Sequence, residues 1–162
     1  MIALLAGAVV LGLDQLSKKW AIAALGDVGS TKILPGPLDL TLVLNRSNAF
    51  GLVPVSGELT RWGLVAFSLV VAAVLARIVV RRPMPFAGTM GLAFIIAGAI
   101  GNTLDRIRFG AVVDFFDASK LGFVWVFNVA DSSIDLGIAL WLLSSLLARP
   151  NGRDVLSDSQ RH

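Results

Sequence analysis

Long apolar runs separated by short polar clusters set the pattern of this chain. A helix needs ~20 mostly apolar residues to cross the hydrocarbon core of a bilayer. Four windows meet that requirement, at about 2–25, 62–80, 86–104 and 129–147. They predict a mainly α integral membrane protein built as a four-transmembrane-helix bundle. Between the first two windows, residues 38–45 read LDLTLVLN, with Leu38, Leu40, Leu42 and Leu44 on one face and Asp39, Thr41 and Asn45 on the other. Period two predicts a half-buried strand. Residues 112–116 and 123–127 are β-prone apolar runs that could pair with it. The expectation is a small extracytoplasmic β-sheet at or above the headgroups, because open sheet edges cannot face lipid.

Composition and charge turn this pattern into a topology. The chain has 162 residues, 56% of them hydrophobic and 15% charged, with a mean hydropathy of +0.78 and a pI near 10.0. Such values fit an integral membrane protein rather than a soluble domain or a nucleic-acid binder. The opening apolar run has no positive charge before it, so it reads as a membrane helix and not as a cleaved signal peptide. Arg77, Arg81, Arg82 and Pro83 make the densest basic cluster, and short basic loops stay cytoplasmic, so both termini are expected inside. Against this, Lys18, Lys19, Lys32, Arg46, Arg61, Arg106, Arg108 and Lys120 then fall at or beyond the outer boundary. A single membrane domain over 1–148 follows, with extracytoplasmic segments 26–61 and 105–128. The polar residues 149–162 form a cytoplasmic tail.

The same topology gathers polar side chains at one end of the bundle: Asp14 and Lys18, Asn102 and Asp105, Asp114 and Asp117, Asn128 and Asp131. Ionisable groups at membrane depth are costly and mark an interior or wet site. Gly98, Asn102 and Asp105 share one helix face, as do Asn128, Asp131 and Asp135. Asp14 and Lys18 stand at i,i+4 and read either as an internal ion pair or as substrate-orienting groups. Asp105 with Arg106 and Arg108 reads either as part of the site or as a helix end at the headgroups. Asp117 and Lys120 belong to a solvated loop, Asp135 to helix packing or proton coupling, and Ala97 and Gly101 to a close helix contact. With no cysteine and His162 as the only histidine, thiol nucleophiles, Ser-His pairs and histidine-ligated zinc drop out. Two carboxylates held close cannot both ionise, so Asp114 and Asp131 could share one proton and activate water against a peptide carbonyl.

At these residues the chain resembles lipoprotein signal peptidase (signal peptidase II), a bacterial membrane aspartic peptidase. The resemblance runs from about Leu11 to Leu147. The strings that carry it are Asp14-Gln-Leu-Ser17-Lys18, Gly101-Asn102-Thr-Leu-Asp105-Arg106, Val112-Val113-Asp114-Phe115 and Phe127-Asn128-Val-Ala130-Asp131. Where many members read Asn-x-Gly-Ala-Ala-Phe, this chain has Asn45-Arg46-Ser47-Asn48-Ala49-Phe50, so Asn45 and Phe50 match and Ser47 and Asn48 depart. The resemblance implies a catalytic pair of Asp114 and Asp131. It implies that Asn45, Asn102, Asp105, Arg106, Asn128, Asp14, Lys18 and Phe50 support the site or hold substrate, with Arg106 or Arg46 on its polar groups. The implied reaction removes the signal peptide of a diacylglyceryl-modified prolipoprotein before the lipidated cysteine, at the periplasmic face of the bacterial inner membrane. It also implies sensitivity to globomycin, contact with membrane lipids, no metal and no organic cofactor. A monomer is the simplest assembly.

Three other readings compete on the residues alone. A proton-coupled transporter would use Asp131 and Asp135, a Ser-Lys hydrolase would use Ser17 or Ser132 with Lys18, and a scaffold would use none of them.

Overall fold

Each of the four apolar windows is a helix in the computed structural model, which describes residues 1–46 and 57–147. The helices are α1 (Ile2–Leu25), α2 (Glu58–Arg81), α3 (Phe86–Phe109) and α4 (Val129–Leu147). Of these, α2, α3 and α4 are long and apolar enough to cross a membrane, whereas α1 carries Asp14, Lys18 and Lys19. Phe50, Ser47 and Asn48, and the expected tail, lie outside the described residues.

Local sequence explains the ends. Gly26, at φ 74°, closes α1 with a backbone bond to Ile22. Gly110 closes α3 in the left-handed region at φ 72°, a conformation that a side chain disfavours. α3 continues past the apolar window 86–104 to Phe109. The reason is Asp105, which faces inward and is 1% exposed, so the helix does not stop at its charge.

α3 is central, packing against α1, α2 and α4. Its contact with α4 is backbone-close. A Cβ at Gly98 would collide with the carbonyl oxygen of Ala130, and one at Gly91 with that of Gly137. At Gly101 the close neighbour is α1, whose Asp14 carboxylate fills the space that the missing side chain leaves, with Ala130 of α4 beside it.

α1 is fastened by charge. The Lys18 ammonium lies 3.0 Å from Asp14 Oδ2 and 2.7 Å from Asp105 Oδ2, and donates to Asn102 Oδ1 at 2.9 Å. Asp14 Oδ1 accepts the Ala130 N–H of α4 at 2.9 Å. All three charged side chains are at most 3% exposed.

The sheet is antiparallel in the order β1 (Thr31–Lys32), β2 (Asp39–Asn45), β3 (Val112–Asp117), β4 (Val126–Phe127). It rests on the C-terminal part of α1 through Ala21, Leu40 and Phe115, with Leu25 and Val129 against them. β3 pairs with β2 as expected, but the 123–127 run supplies only its last two residues and pairs with β3, not β2. The intervening residues form a 3-10 turn at Ser119–Leu121 and a left-handed Gly122.

The single alternating face expected for β2 is also interrupted. Leu40 pairs with Phe116 and Val43 with Asp114, so β2 holds one extra residue between them. One extra residue reverses the side-chain alternation. After this bulge Asn45 comes to the face of Leu40 and Asp114, and Leu44 to the face of Asp39. Asp117 and Lys120 are bonded groups rather than free loop charges. Thr41 Oγ1 donates to Asp117 at 2.7 Å, and Lys120 pairs with Asp39 at 2.6 Å.

Removing one partner of a buried ion pair strands the other charge, at a cost of about 3–5 kcal/mol. Lys18→Met is therefore expected to lower the melting temperature sharply in detergent, and adding Asp105→Asn to restore part of the loss by removing one stranded carboxylate. Unchanged melting of Lys18→Met would show that α1 is held by apolar packing alone.

Candidate active site

The site begins with the way α4 starts. Asn128 precedes the first helical residue, and its Oδ1 accepts the Asp131 N–H at 2.9 Å. Asp131 Oδ2 accepts the Asn128 N–H at 3.3 Å. This reciprocal box satisfies two backbone donors that a helix start leaves unpaired, and it fixes the Asp131 carboxylate in the first turn.

The free end of the same amide turns toward the sheet. Asn128 Nδ2 donates to Asp114 Oδ1 at 2.5 Å and to Asn102 Oδ1 at 3.2 Å. Asp114 lies on β3, 2% exposed, and its second oxygen accepts Asn45 Nδ2 at 3.0 Å. Asn45 reaches it because the bulge has moved that side chain to the Asp114 face.

Asn102, on α3, donates through Nδ2 to Asp131 Oδ1 at 2.8 Å. Its orientation follows from Lys18, an obligate donor, which fixes Oδ1 toward α1 and leaves Nδ2 for Asp131. Two aspartates from different elements thus share one asparagine and are buttressed by two more.

Behind them lies the Lys18 cluster. Asp105 Oδ2 accepts the Val113 N–H at 3.2 Å, which ties α3 to the strand that carries Asp114. Gln15 has no place among the sequence-based site residues, yet it completes this cluster. Its Nε2 donates to Asp14 at 3.1 Å and to Asp105 at 3.2 Å, and its Oε1 accepts from Arg108 at 2.8 Å. Its place between Asp14 and Lys18 in the first polar motif was the available signal. Arg106 donates to Asn102 O at 3.4 Å and feels the charges of Asp131, Asp114 and Asp105.

Burial, reinforced by the charge of Asp131, pushes the Asp114 carboxyl up to about 7, against the pull of the Asn45 and Asn128 hydrogen bonds and of Lys18. At the far end of the sheet the opposite holds. The Lys120 hydrogen bond keeps Asp39 below the usual carboxylate range, and the Thr41 hydroxyl does the same for Asp117.

The arrangement couples two acidic groups, one of which titrates near neutrality. Such a pair can give a proton to one reacting atom and take one from another. Other sequence-suggested groups are placed elsewhere. Asp135 shares the Asp131 side of α4 but is exposed, and makes no hydrogen bond or ion pair among the described residues. Ser17 and Ser132 donate to the backbone carbonyls of Asp14 and Asn128, while the Lys18 ammonium is taken up by Asp14, Asp105 and Asn102. Neither Ser17 nor Ser132 pairs with a lysine among the described residues.

Known proteins resemble this chain over most of its length. Residues 6–147 match the family described as Signal peptidase (SPase) II. A lipoprotein signal peptidase of Caulobacter vibrioides is 47% identical over 89% of this chain and 86% of its own. One from Clostridioides difficile is 36% identical over 80% of this chain and 84% of its own. Among solved structures, a bacterial membrane enzyme obtained by the in meso method at 2.3 Å superposes with a TM-score of 0.78 at 25% identity. The superposition covers 99% of this chain and 93% of that one. The chain, a membrane protein by its helices and its relatives, belongs to the signal peptidase II family.

Proposed function

We propose that this protein is an aspartic endopeptidase that removes the signal peptide of diacylglyceryl-modified prolipoproteins, cutting before the lipidated cysteine. The observation that carries the reading is the pair of aspartates joined through Asn128, with Asp114 pushed to about 7.

In this reading the two carboxyls hold one proton between them near neutral pH and grip a water molecule. The ionised carboxyl takes a proton from water as its oxygen attacks the scissile carbonyl. The protonated carboxyl gives its proton to the developing oxyanion, and the pair then returns a proton to the leaving amine. Asn45 and Asn128 orient Asp114, Asn102 and Asn128 orient Asp131, and Arg106 reaches polar atoms of the substrate. Asp14, Lys18 and Asp105 hold the elements in register. Phe50 is assigned to the substrate-facing loop by resemblance. The chemistry calls for no metal or organic cofactor.

We place α1 as the fourth span, because Asp14 and Lys18 neutralise each other away from lipid. The basic Arg77, Arg81 and Arg82 stretch between α2 and α3 supports cytoplasmic termini. It supports a site at the periplasmic face of the inner membrane, with 1–148 as one domain and 149–162 as a cytoplasmic tail. There the peptide bond meets the aspartates while lipid chains and signal helix stay in hydrocarbon. Globomycin would act as an inhibitor, and the working unit would be a monomer among membrane lipids. The transporter alternative draws no support from the family match, and the exposed Asp135 forms no relay with Asp131 among the described hydrogen bonds.

Asp114→Asn and Asp131→Asn are each expected to reduce cleavage of a diacylglyceryl-modified prolipoprotein peptide by about 10²–10⁴-fold, the range for a positioned acid or base. Both variants should stay folded in detergent. A fully active Asp114→Asn enzyme would remove that residue from the mechanism.

A second test reads stability against pH. Because Asp114 stands at about 7 when folded and near 3.8 otherwise, the folded chain keeps a proton that the unfolded chain has released. Stability from this group is complete below about pH 4, falls by at most about 1.4 kcal/mol per pH unit as pH rises, and levels off above 7. Asp114→Asn should flatten that part of the melting profile; an unaltered slope would mean that Asp114 titrates normally.

A further inference from the structure

At the end of the bundle where α2 begins and α3 ends is a cavity of about 480 Å³ lined by Arg46, Glu58, Arg61, Arg108, Phe109 and Gly110. The charges are unequal, three guanidinium groups to one carboxylate, and they are differently occupied. Arg61 is committed: it donates to the Arg106 and Ile107 carbonyls at the end of α3, at 2.7 and 2.8 Å, and to Glu58 at 3.0 Å. Arg108 spends one donor on Gln15. Arg46 is exposed and has no hydrogen-bond partner among the described residues. Glu58 neutralises Arg61, which leaves Arg46 and Arg108 with uncompensated charge and unused N–H groups facing one cavity.

The rim points to the class of anion. Trp62, 49% exposed, carries the Arg61 guanidinium 4.9 Å from its ring centroid, and Phe109 is 50% exposed. Below Trp62, α2 presents Phe67, Leu69, Val70 and Val74 outward and buries only Val65 and Ala72. Arginine donors and aromatic rings thus share one level at the end of the bundle, with a bare apolar helix leading away from them. That is the order of headgroup and acyl chain in one leaflet. A peptide carboxylate would complement the arginines but would not continue into acyl chains along the apolar face of α2, as a phospholipid does.

We infer that this cavity binds the phosphate of an anionic phospholipid, with Arg46 and Arg108 on the headgroup and the acyl chains along α2. The inference depends on α2 and α3 spanning the bilayer and is independent of the peptidase reading. Two short paths lead from the cavity to the site: Arg46 follows Asn45, which holds Asp114, and Arg108 bonds Gln15, which holds Asp105. A bound headgroup would therefore steady the aspartate pair as well as α2.

The test is lipid retention, not cleavage. Protein purified in detergent micelles doped with phosphatidylglycerol or phosphatidylcholine is followed by native mass spectrometry and thermal melting. Phosphatidylglycerol is expected to be retained and to raise the melting temperature, phosphatidylcholine to do so weakly, and inorganic phosphate alone to have no effect. Arg46→Gln and Arg108→Gln should each raise the half-saturating phosphatidylglycerol by about fivefold, the effect of one basic residue at a lipid surface, with Arg108→Lys close to the parent. Arg46→Gln removes no described contact, so it reports on binding even if Arg108→Gln disturbs Gln15. Equal retention by parent and double variant, equal retention of the two lipids, a phosphate effect matching that of phosphatidylglycerol, or displacement of the lipid by an acidic peptide would each overturn the inference.

Discussion

One buried ammonium group constrains most of this molecule. Lys18 is surrounded by two carboxylates and an amide oxygen that come from α1 and α3. A charge in so dry a place persists only when every one of its donors is met. Those acceptors have further obligations: Asp14 binds the backbone of α4 through Ala130, Asp105 binds that of β3 through Val113, and Asn102 binds Asp131. The lysine therefore sets the relative position of three helices and a strand. The glycines follow from the same demand, because Asp14 can approach α4 only past the bare face of α3 at Gly101.

This arrangement also explains why the acidic groups of the chain behave so differently. Asp14 and Asp105 face a cation and act as struts. Asp114 is buried beside another carboxylate, so its environment resists ionisation in spite of the Asn45 and Asn128 hydrogen bonds. Asp39 and Asp117, farther along the sheet, accept hydrogen bonds from Lys120 and Thr41 and ionise readily. One short sheet thus holds carboxylates of opposite character a few residues apart, and the groups that each one faces are what separate them.

How much of this was legible in the sequence depended on the range of the interaction. Hydropathy located the helices, and the ends of α1 and α4 matched because a glycine stop and an asparagine cap are local signals. α3 runs on beyond its apolar window, through an aspartate and two arginines, with Lys18 opposite Asp105, a long-range pairing that hydropathy does not carry. Alternating leucines announced β2, but the bulge at its middle arises from pairing with β3 and has no signature in LDLTLVLN. The polar strings collected Asn45, Asn102, Asn128, Asp114 and Asp131, which the structure joins by hydrogen bonds. Gln15 escaped because an uncharged side chain on a helix carries little signal until its partners, about ninety residues away, are known. Exposure of Asp135 was equally hidden, as helical spacing says which residues share a side and not what lies across from it.

Asn128 begins a helix with one end of its amide and grips Asp114 with the other. Scaffold and chemistry are therefore entangled at a single position, and selection cannot tune one without disturbing the other. Lineages with this architecture should find that position nearly frozen, and adaptation to new substrates should be displaced outward, to loops that meet the peptide without carrying the frame.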